Sequence, residues 1–194
     1  LYDMDKSIES AFTEATKYCN AVEVMSVEAG FGDNVKAVAI KVKDKLVAFF
    51  KKIAEFCQYL ITNLSTKNQQ IKNLSKNIYE KSKEALKNLN SADEEQLKEY
   101  KETMAATSAG RKALMLMIKQ EKAAAANPDY AWGKVWTSTD VERNLVYQFA
   151  LNGTPNRGAI EGMLKNMEAD MEKFNEANAA KKAAAKKAPA NDAQ

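Results

Sequence analysis

Apolar residues recur every three or four positions along most of this chain, and this spacing limits the fold more than any other feature. The pattern is clearest at Val35, Val38, Val42, Leu46, Phe49, Ile53, Phe56 and Leu60. Spacings of three and four place these side chains on one face of an α-helix, so the sequence predicts an amphipathic helix of about 25 residues. Residues 39–45 also alternate as a strand would, but the helical period continues beyond them.

The same period predicts further helices on both sides of this one. A first helix covers residues 5–25 and ends before the glycines of residues 30–34, and a third covers residues 71–89. The final helix has an apolar stripe at Ile160, Met163, Leu164, Met167, Met171 and Phe174. Short connections favour antiparallel packing of sequential helices. The sequence therefore predicts an all-α bundle of about five to six mostly antiparallel amphipathic helices.

Helix starts are indicated by capping residues, whose side chains accept a hydrogen bond from a free backbone N–H. Ser91 and Glu94 have the spacing of a capping box, which predicts the start of the fourth helix. Residues 139–142 repeat that spacing ahead of a short fifth helix. Thr154 and Pro155 fit the cap and the first turn of the final helix.

The fourth helix contains two irregular features. Gly110 lies within it at a cost of about 1 kcal/mol relative to alanine, which predicts one kinked helix. Residues 114–118 are apolar on every side, which predicts a short stretch buried all round. The helix is expected to end before Asn127 and Pro128, which open the longest loop.

The chain contains no histidine, which removes the commonest general base and the commonest metal ligand. It also lacks a recognisable pair of nucleophile and base, and the Glu-x-x-His pattern of a di-metal bundle. We therefore expect a protein that is not an enzyme and that binds no cofactor, metal or small-molecule substrate. Cys19 and Cys57 both lie in apolar helical stretches, which predicts buried free thiols.

Positive charge is concentrated in two regions. Residues 177–194 contain four lysines and one acidic residue, which accounts for the formal net charge of +3, and residues 33–90 contain twelve lysines and five acidic residues. Such surfaces contact phosphates or anionic headgroups without reading sequence. The residues predicted to do so are Lys36, Lys41, Lys43, Lys45, Lys51, Lys52, Lys181, Lys182, Lys186 and Lys187. The alternative is that these charges only face solvent.

Composition also divides the chain into two parts. Residues 1–176 are expected to form a helical bundle domain, and residues 177–194 an Ala/Lys-rich basic tail. Alanine and lysine favour helix, so the last helix has the composition to continue toward Pro189.

Two further groups of residues are candidates for partner binding. Tyr130, Trp132 and Trp136 would bury a large area against a partner, or would instead pack under the loop that contains them. The methionines 163, 167 and 171 of the final helix would line an adaptable groove, or would instead face the core.

Residues 26–36, SVEAGFGDNVK, and the Lys- and Phe-rich helix through residues 48–52, AFFKK, resemble internal head or prohead-core proteins of large tailed bacteriophages. The resemblance covers roughly 30 residues in the region of the first two helices, whose apolar period is described above. In that group a small-x-Glu motif before a small residue is a site for maturation proteases, and Ser26, Glu28 and Ala29 fit it. The final helix and the tail also resemble phasins, whose helices coat polymer granules.

The bacteriophage resemblance implies a structural protein located in the virion or the host cytoplasm. Its partners would be other virion proteins or a second copy of the chain, with the lysines close to DNA. The alternative is an amphipathic protein that opens its bundle onto a membrane or granule surface through the stripe from residue 35 to 60. The oligomeric state and the identity of the partner stay open at this stage.

Overall fold

The computed structural model describes residues 1–29, 33–64, 69–126, 144–149 and 153–187, with the side chains of 24–29, 33–35 and 124 excepted. The helices in this part are α1 (Tyr2–Ala29), α2 (Asp33–Asn63), α3 (Gln69–Leu89), α4 (Glu94–Ala126), a short α5 over residues 144–148, and α6 (Arg157–Lys187). The described ranges contain no β-strand. The predicted all-α fold class is confirmed, and the long helices lie where the apolar period placed them.

Helices α1 and α2 pack antiparallel. The Nζ of Lys52 donates to the Oγ of Ser7 over 2.6 Å, and the Nζ of Lys45 lies 2.7 Å from the Oε1 of Glu14. Residue numbers on α1 rise as those on α2 fall, which is the order expected of antiparallel neighbours. The two polar contacts lie about two turns apart along each helix. They lie beside the apolar contact between α1 and α2.

Helix α4 also runs antiparallel to α1. The Nζ of Lys122 lies over the ring of Tyr2, 5.5 Å from its centroid. Toward the other end of the same pair, the Nζ of Lys101 lies 2.9 Å from the Oε1 of Glu23. Helix α3 contacts both α2 and α4. Helices α1 to α4 therefore form an up-down-up-down four-helix bundle.

The apolar face of α2 forms the centre of the core. Its largest fully buried side chains are Leu46, Phe49, Phe50, Ile53, Phe56 and Leu60. The ring centroid of Phe49 lies 6.1 Å from that of Phe12 on α1 and 5.3 Å from that of Phe50, both in tilted or edge-on arrangements that aromatic rings prefer. The stripe that predicted this helix is therefore covered by its neighbours.

Helix α4 is the central helix of the fold. It contacts α1, α2, α3 and α6, and every residue from 103 to 111 is buried. The all-round burial predicted for residues 114–118 is confirmed at four positions, and Leu116 is half-buried. The helix is continuous through Gly110, in agreement with the prediction of one helix across this position. Glycine is needed there for packing, because the ring of Phe149 lies where a side chain would begin.

The start of α4 is capped two residues later than the sequence predicted. The Oδ1 of Asp93 accepts from the N–H of Gln96 at 2.8 Å, and the Oε1 of Gln96 accepts from the N–H of Asp93 at 2.9 Å. The capping box is therefore Asp93 with Gln96, and the prediction of Ser91 with Glu94 is wrong. Ser91 is used instead in the turn that ends α3, where its N–H and its Oγ both donate to the carbonyl of Asn88.

The start of α6 differs from the prediction in a similar way. The Oδ1 of Asn156 accepts from the N–H of Ala159 at 3.1 Å, and its carbonyl accepts from the N–H of Ile160 at 3.2 Å. Asn156 is therefore the N-cap, and the assignment of that role to Thr154 is wrong. Pro155 precedes the cap and is buried.

Helix α6 packs on α4 and runs parallel to it. The Nη1 of Arg157 lies 3.4 Å from the Oε1 of Glu102, whereas Lys182 lines the same groove as Ala126. Residue numbers therefore rise together along both helices. The predicted antiparallel order holds for the sequential neighbours α1 to α4, and the parallel pair α4 and α6 is separated in the chain by α5. Helix α6 continues through residues 177–187, and residues 188–194 of the predicted tail lie outside the described part.

Candidate functional site

The lysines predicted on α2 divide into two groups. Lys36, Lys41 and Lys51 are exposed and Lys43 is half-buried. Lys45 and Lys52 are instead directed toward α1, to Glu14 and Ser7 respectively. The hydrogen bond to Glu14 raises the pKa of Lys45, and the same contact lowers the pKa of Glu14. These two lysines join helices and are less available to a phosphate than the other four.

The C-terminal part of α6 is a basic surface. Lys181, Lys182, Lys186 and Lys187 are all exposed, and residues 177–187 contain no acidic side chain. At about 100° per residue, the four lysines spread over roughly 240° of the helix circumference. We refer to residues 181–187 as the lysine tip. Its last two lysines also lie in the final turn, where they interact favourably with the helix dipole.

The lysine tip extends past the end of α4. Lys182 lies at the level of Ala126, the last residue of α4, because both line one groove. The residues that follow Lys182 carry the helix about 7.5 Å further at 1.5 Å per residue. Within the described part of the chain, this leaves the tip open to an anionic partner on several sides.

The structure does not bring the predicted lysines of α2 and those of the lysine tip together. Lys36 and Lys43 line a groove with Glu94 and Glu95, at the N-terminal end of α4. The lysine tip lies at the opposite end of that helix. Helix α4 has 33 residues, and a helix of that length spans about 50 Å. The predicted basic residues therefore form separate surfaces, and the one at α2 has carboxylates beside it.

The other predicted site residues are placed as follows. Tyr130, Trp132 and Trp136 lie outside the described residues. The backbone of the proposed processing motif, residues 26–29, lies in the last turns of α1, and its side chains are not among those described. Met167 is fully buried, while Met163 and Met171 are half-buried. The core interpretation is therefore correct for Met167.

Sequence reasoning missed a buried arginine between α1 and α4. The side chain of Arg111 is 2% exposed, and its Nη1 and Nη2 donate to the carboxylates of Asp5 and Glu9 respectively. A buried charge must be paired, because leaving water without compensation is strongly unfavourable. Its pairing with two carboxylates of α1 therefore assigns it a role in docking α1 on α4. No pattern of spacing in the sequence signals this, because the residues are about 100 positions apart.

A second buried cation lies between α3 and the start of α6. The side chain of Lys81 is 8% exposed, its Nζ donates to the carbonyl of Gly153, and it lies 3.6 Å from the Oε2 of Glu84. Gly153 has a φ of 85°, a conformation that glycine adopts readily. These groups line a polar cavity of about 240 Å³ with Glu99 and Tyr100. Burial, together with the two carboxylates, raises the pKa of the Tyr100 phenol.

The thiols of Cys19 and Cys57 are free and buried, as predicted. Burial raises the pKa of both, most strongly that of Cys57. Among the residues that the structure describes, no group of three or more Asp, Glu or Cys side chains is arranged to hold a metal ion. Across the same residues, none of the helices has the length and apolar character of a membrane span.

Comparison of the chain with protein-family models, with curated proteins and with solved structures finds no match. The geometry of the chain's own residues must therefore carry any functional assignment. The feature with the most specific chemistry is the lysine tip, because its charges are exposed, close together and free of neighbouring carboxylates on α6.

Proposed function

We propose that the protein is a non-enzymatic structural protein of a bacteriophage virion, which docks on other virion proteins and contacts DNA through the lysine tip of α6. The observation that carries the DNA contact is the exposure of four lysines, without an acidic residue, on the part of α6 that extends past α4. Such a surface gains affinity for phosphates by releasing counterions. The virion location rests on the resemblance of residues 26–52.

Three cationic side chains outside the lysine tip support a structural function. Arg111, Lys45 and Lys101 each join one helix to another through a carboxylate. These contacts hold the bundle together and leave no obvious group for proton transfer among them. The lysine tip differs, because none of its four side chains is in an ion pair with a described residue.

The alternative, insertion of α2 into a membrane or granule surface, has less support. Six large apolar side chains of α2 are fully buried. Exposing them would cost roughly 9–18 kcal/mol at about 1.5–3 kcal/mol each. That range is comparable to the whole stability of a typical domain, about 5–15 kcal/mol. Contact with the membrane or granule would have to compensate for most of this free energy. An intact bundle that binds through its exposed charges is therefore the simpler proposal.

Fluorescence anisotropy with a labelled DNA duplex, measured over a series of salt concentrations, tests the DNA contact. Binding should be independent of sequence, and the logarithm of the binding constant should fall linearly with the logarithm of salt concentration. The variant with Lys181, Lys182, Lys186 and Lys187 replaced by glutamine should bind more weakly. If all four lysines contact phosphates, the slope should become less negative by about 3.6.

A matched control separates the lysine tip from net charge. Lys17, Lys76, Lys87 and Lys98 are exposed, belong to other helices and form no ion pair with a described residue. Replacing all four with glutamine changes the net charge equally and should leave the salt slope nearly unchanged. Equal loss in both variants, or binding that does not depend on salt, would contradict the assignment of DNA contact to the tip.

The virion part of the proposal needs a separate measurement. Mass spectrometry of the protein and its co-purifying partners from the native source should find capsid, portal or tail proteins. Molecules that begin at Ala29 would support processing at the Glu28-Ala29 bond. Membrane or granule proteins without any virion component would instead support the surface-binding alternative.

A further inference from the structure

The polar cavity of about 240 Å³ between α3, the first turns of α4 and the chain ahead of α6 has no part in the proposed DNA contact. Its polar lining consists of Lys81, Glu84, Asn88, Glu99, Tyr100, Thr103, Gly153 and Thr154. Lys81 and Thr103 are buried, whereas Glu99 is exposed. The cavity therefore leads from solvent to polar side chains in the interior of the bundle.

The charges of this lining are unequal. Lys81 is the one cationic side chain among the lining residues, and its Nζ already donates to the carbonyl of Gly153 and lies 3.6 Å from the Oε2 of Glu84. Glu99 forms no ion pair with a described residue. One lysine and two glutamates give the lining a net charge of −1. An anion would therefore meet two carboxylates without a free cation to pair with.

The cavity also contains a buried acceptor that lacks a donor. The Oε2 of Glu84 is buried and has no hydrogen-bond partner among the described residues, because 3.6 Å to Lys81 is too long for a hydrogen bond. A buried acceptor left unpaired is unfavourable. Burial, together with the carboxylates of Glu84 and Glu99, raises the pKa of the Tyr100 phenol, so its hydroxyl stays protonated. A ligand that fits this lining carries positive charge and donates hydrogen bonds.

We propose that this cavity binds a small hydroxylated primary amine, with its ammonium group between Glu84 and Glu99. A primary ammonium has three N–H donors, and Glu84, Glu99 and the Tyr100 hydroxyl can each accept one of them. Its single charge cancels the net charge of the lining. Hydroxyl groups on the ligand would pair with Asn88 and Thr103, which also line the cavity.

The size and ligand set of the cavity narrow the choice further. Its volume corresponds to about eight water molecules at about 30 Å³ each, which suits a small molecule. A divalent metal ion fits less well, because Ca²⁺ takes about six to eight oxygen ligands. No group of three or more acidic side chains able to hold a metal ion occurs in the described part of the chain. Binding of an amine here is independent of DNA contact at the lysine tip.

The compounds 2-amino-1,3-propanediol and glycerol are matched probes, because an ammonium group replaces the central hydroxyl and the carbon chain is the same. NMR titration of the isotope-labelled full chain at neutral pH and constant ionic strength should show saturable binding of the amine, with a dissociation constant of roughly 1 mM. The shifted amide signals should belong to residues 81–88, 99–103 and 153–154, which line or adjoin the cavity. Glycerol should bind at least about tenfold more weakly.

A pair of single substitutions tests the carboxylate. Glu99→Gln keeps the size of an exposed side chain and removes its charge, so it should raise the dissociation constant of the amine by about tenfold or more. Glu95→Gln makes the same change at an exposed position of α4 outside the cavity and should leave it unchanged. Circular dichroism should show equal helix content in both. No shift of the cavity signals with the amine, equal binding of glycerol, or an equal effect of the two variants would overturn the proposal.

Discussion

Replacing Gly110 with alanine tests how α4 is packed, because two effects of known sign oppose each other there. In an unpacked helix, alanine is more stable than glycine by about 1 kcal/mol. In the bundle, the new Cβ would lie 2.8 Å from the Cε2 and Cζ of Phe149 and 3.2 Å from the Cδ1 of Ile78. Phe149 is fully buried, so its ring cannot move without displacing its own neighbours.

The expected magnitude follows from these distances. An ordinary contact between carbon atoms is about 3.5–4.0 Å, so the ring of Phe149 must move by about 0.7–1.2 Å. Overpacking of this kind costs about 1–3 kcal/mol. After subtraction of the gain of about 1 kcal/mol in helix propensity, Gly110→Ala should lower the free energy of unfolding by about 1 kcal/mol. For a chain of this size that corresponds to a Tm lower by about 2–4 °C.

Urea denaturation of four proteins measures both effects: the wild type, Gly110→Ala, Phe149→Leu and the double variant. With leucine at position 149 the close contact is relieved, so adding alanine at position 110 should then stabilise the protein by up to about 1 kcal/mol. Stabilisation by about 1 kcal/mol in the wild-type background would refute the reasoning. The only effect of Gly110 would then be the low helix propensity of glycine.

The remaining predictions concern capping, thiol reactivity and pH. Asp93→Ala should lower the free energy of unfolding by about 1 kcal/mol in urea denaturation, and Gln96→Ala should act in the same direction; a larger loss for Ser91→Ala would contradict the observed cap. Burial raises the pKa of the Cys57 thiol, so a thiol reagent should label it only as the protein unfolds, and fast labelling of the native protein would argue against that burial. Burial also raises the pKa of Glu121 in the folded protein. Its neutral form therefore contributes stability below the unfolded pKa, and this contribution is lost as pH rises through the folded pKa. Glu121→Gln should therefore raise Tm more at neutral pH than near pH 3, and equal shifts at both would count against this.

The helices could be predicted from the sequence because each buries one face, and burial of one face imposes the apolar period directly. The exact starts of the helices could not be predicted in this way. Residues 91–96 contain two overlapping capping boxes, Ser91 with Glu94 and Asp93 with Gln96. Ser91 is taken by the turn that ends α3, which leaves Asp93 to cap α4. Local spacing alone does not decide between two such pairs, because the preceding turn decides it.

Tertiary features were harder to predict. The parallel packing of α6 on α4 depends on where the chain re-enters the bundle, and the only sequence signal for it is the long connection between the two helices. The buried Arg111 depends on Asp5 and Glu9, which are distant in sequence. The lysines of the candidate DNA-binding surface were identified from composition. The sequence did not reveal that Lys36 and Lys43 of α2 and the lysine tip of α6 lie at opposite ends of α4.

The contact between Arg111 and Asp5 also has a consequence for synthesis of the chain. The two residues are 106 positions apart. At about 5–20 residues per second, the ribosome needs about 5–20 s to add α4 after α1 has emerged. Until α4 is added, Asp5 and Glu9 lack their partner Arg111, and the apolar faces of α1 and α2 that α4 covers in the complete fold have no α4 to cover them. Exposed apolar surface of this kind is what chaperones protect during synthesis.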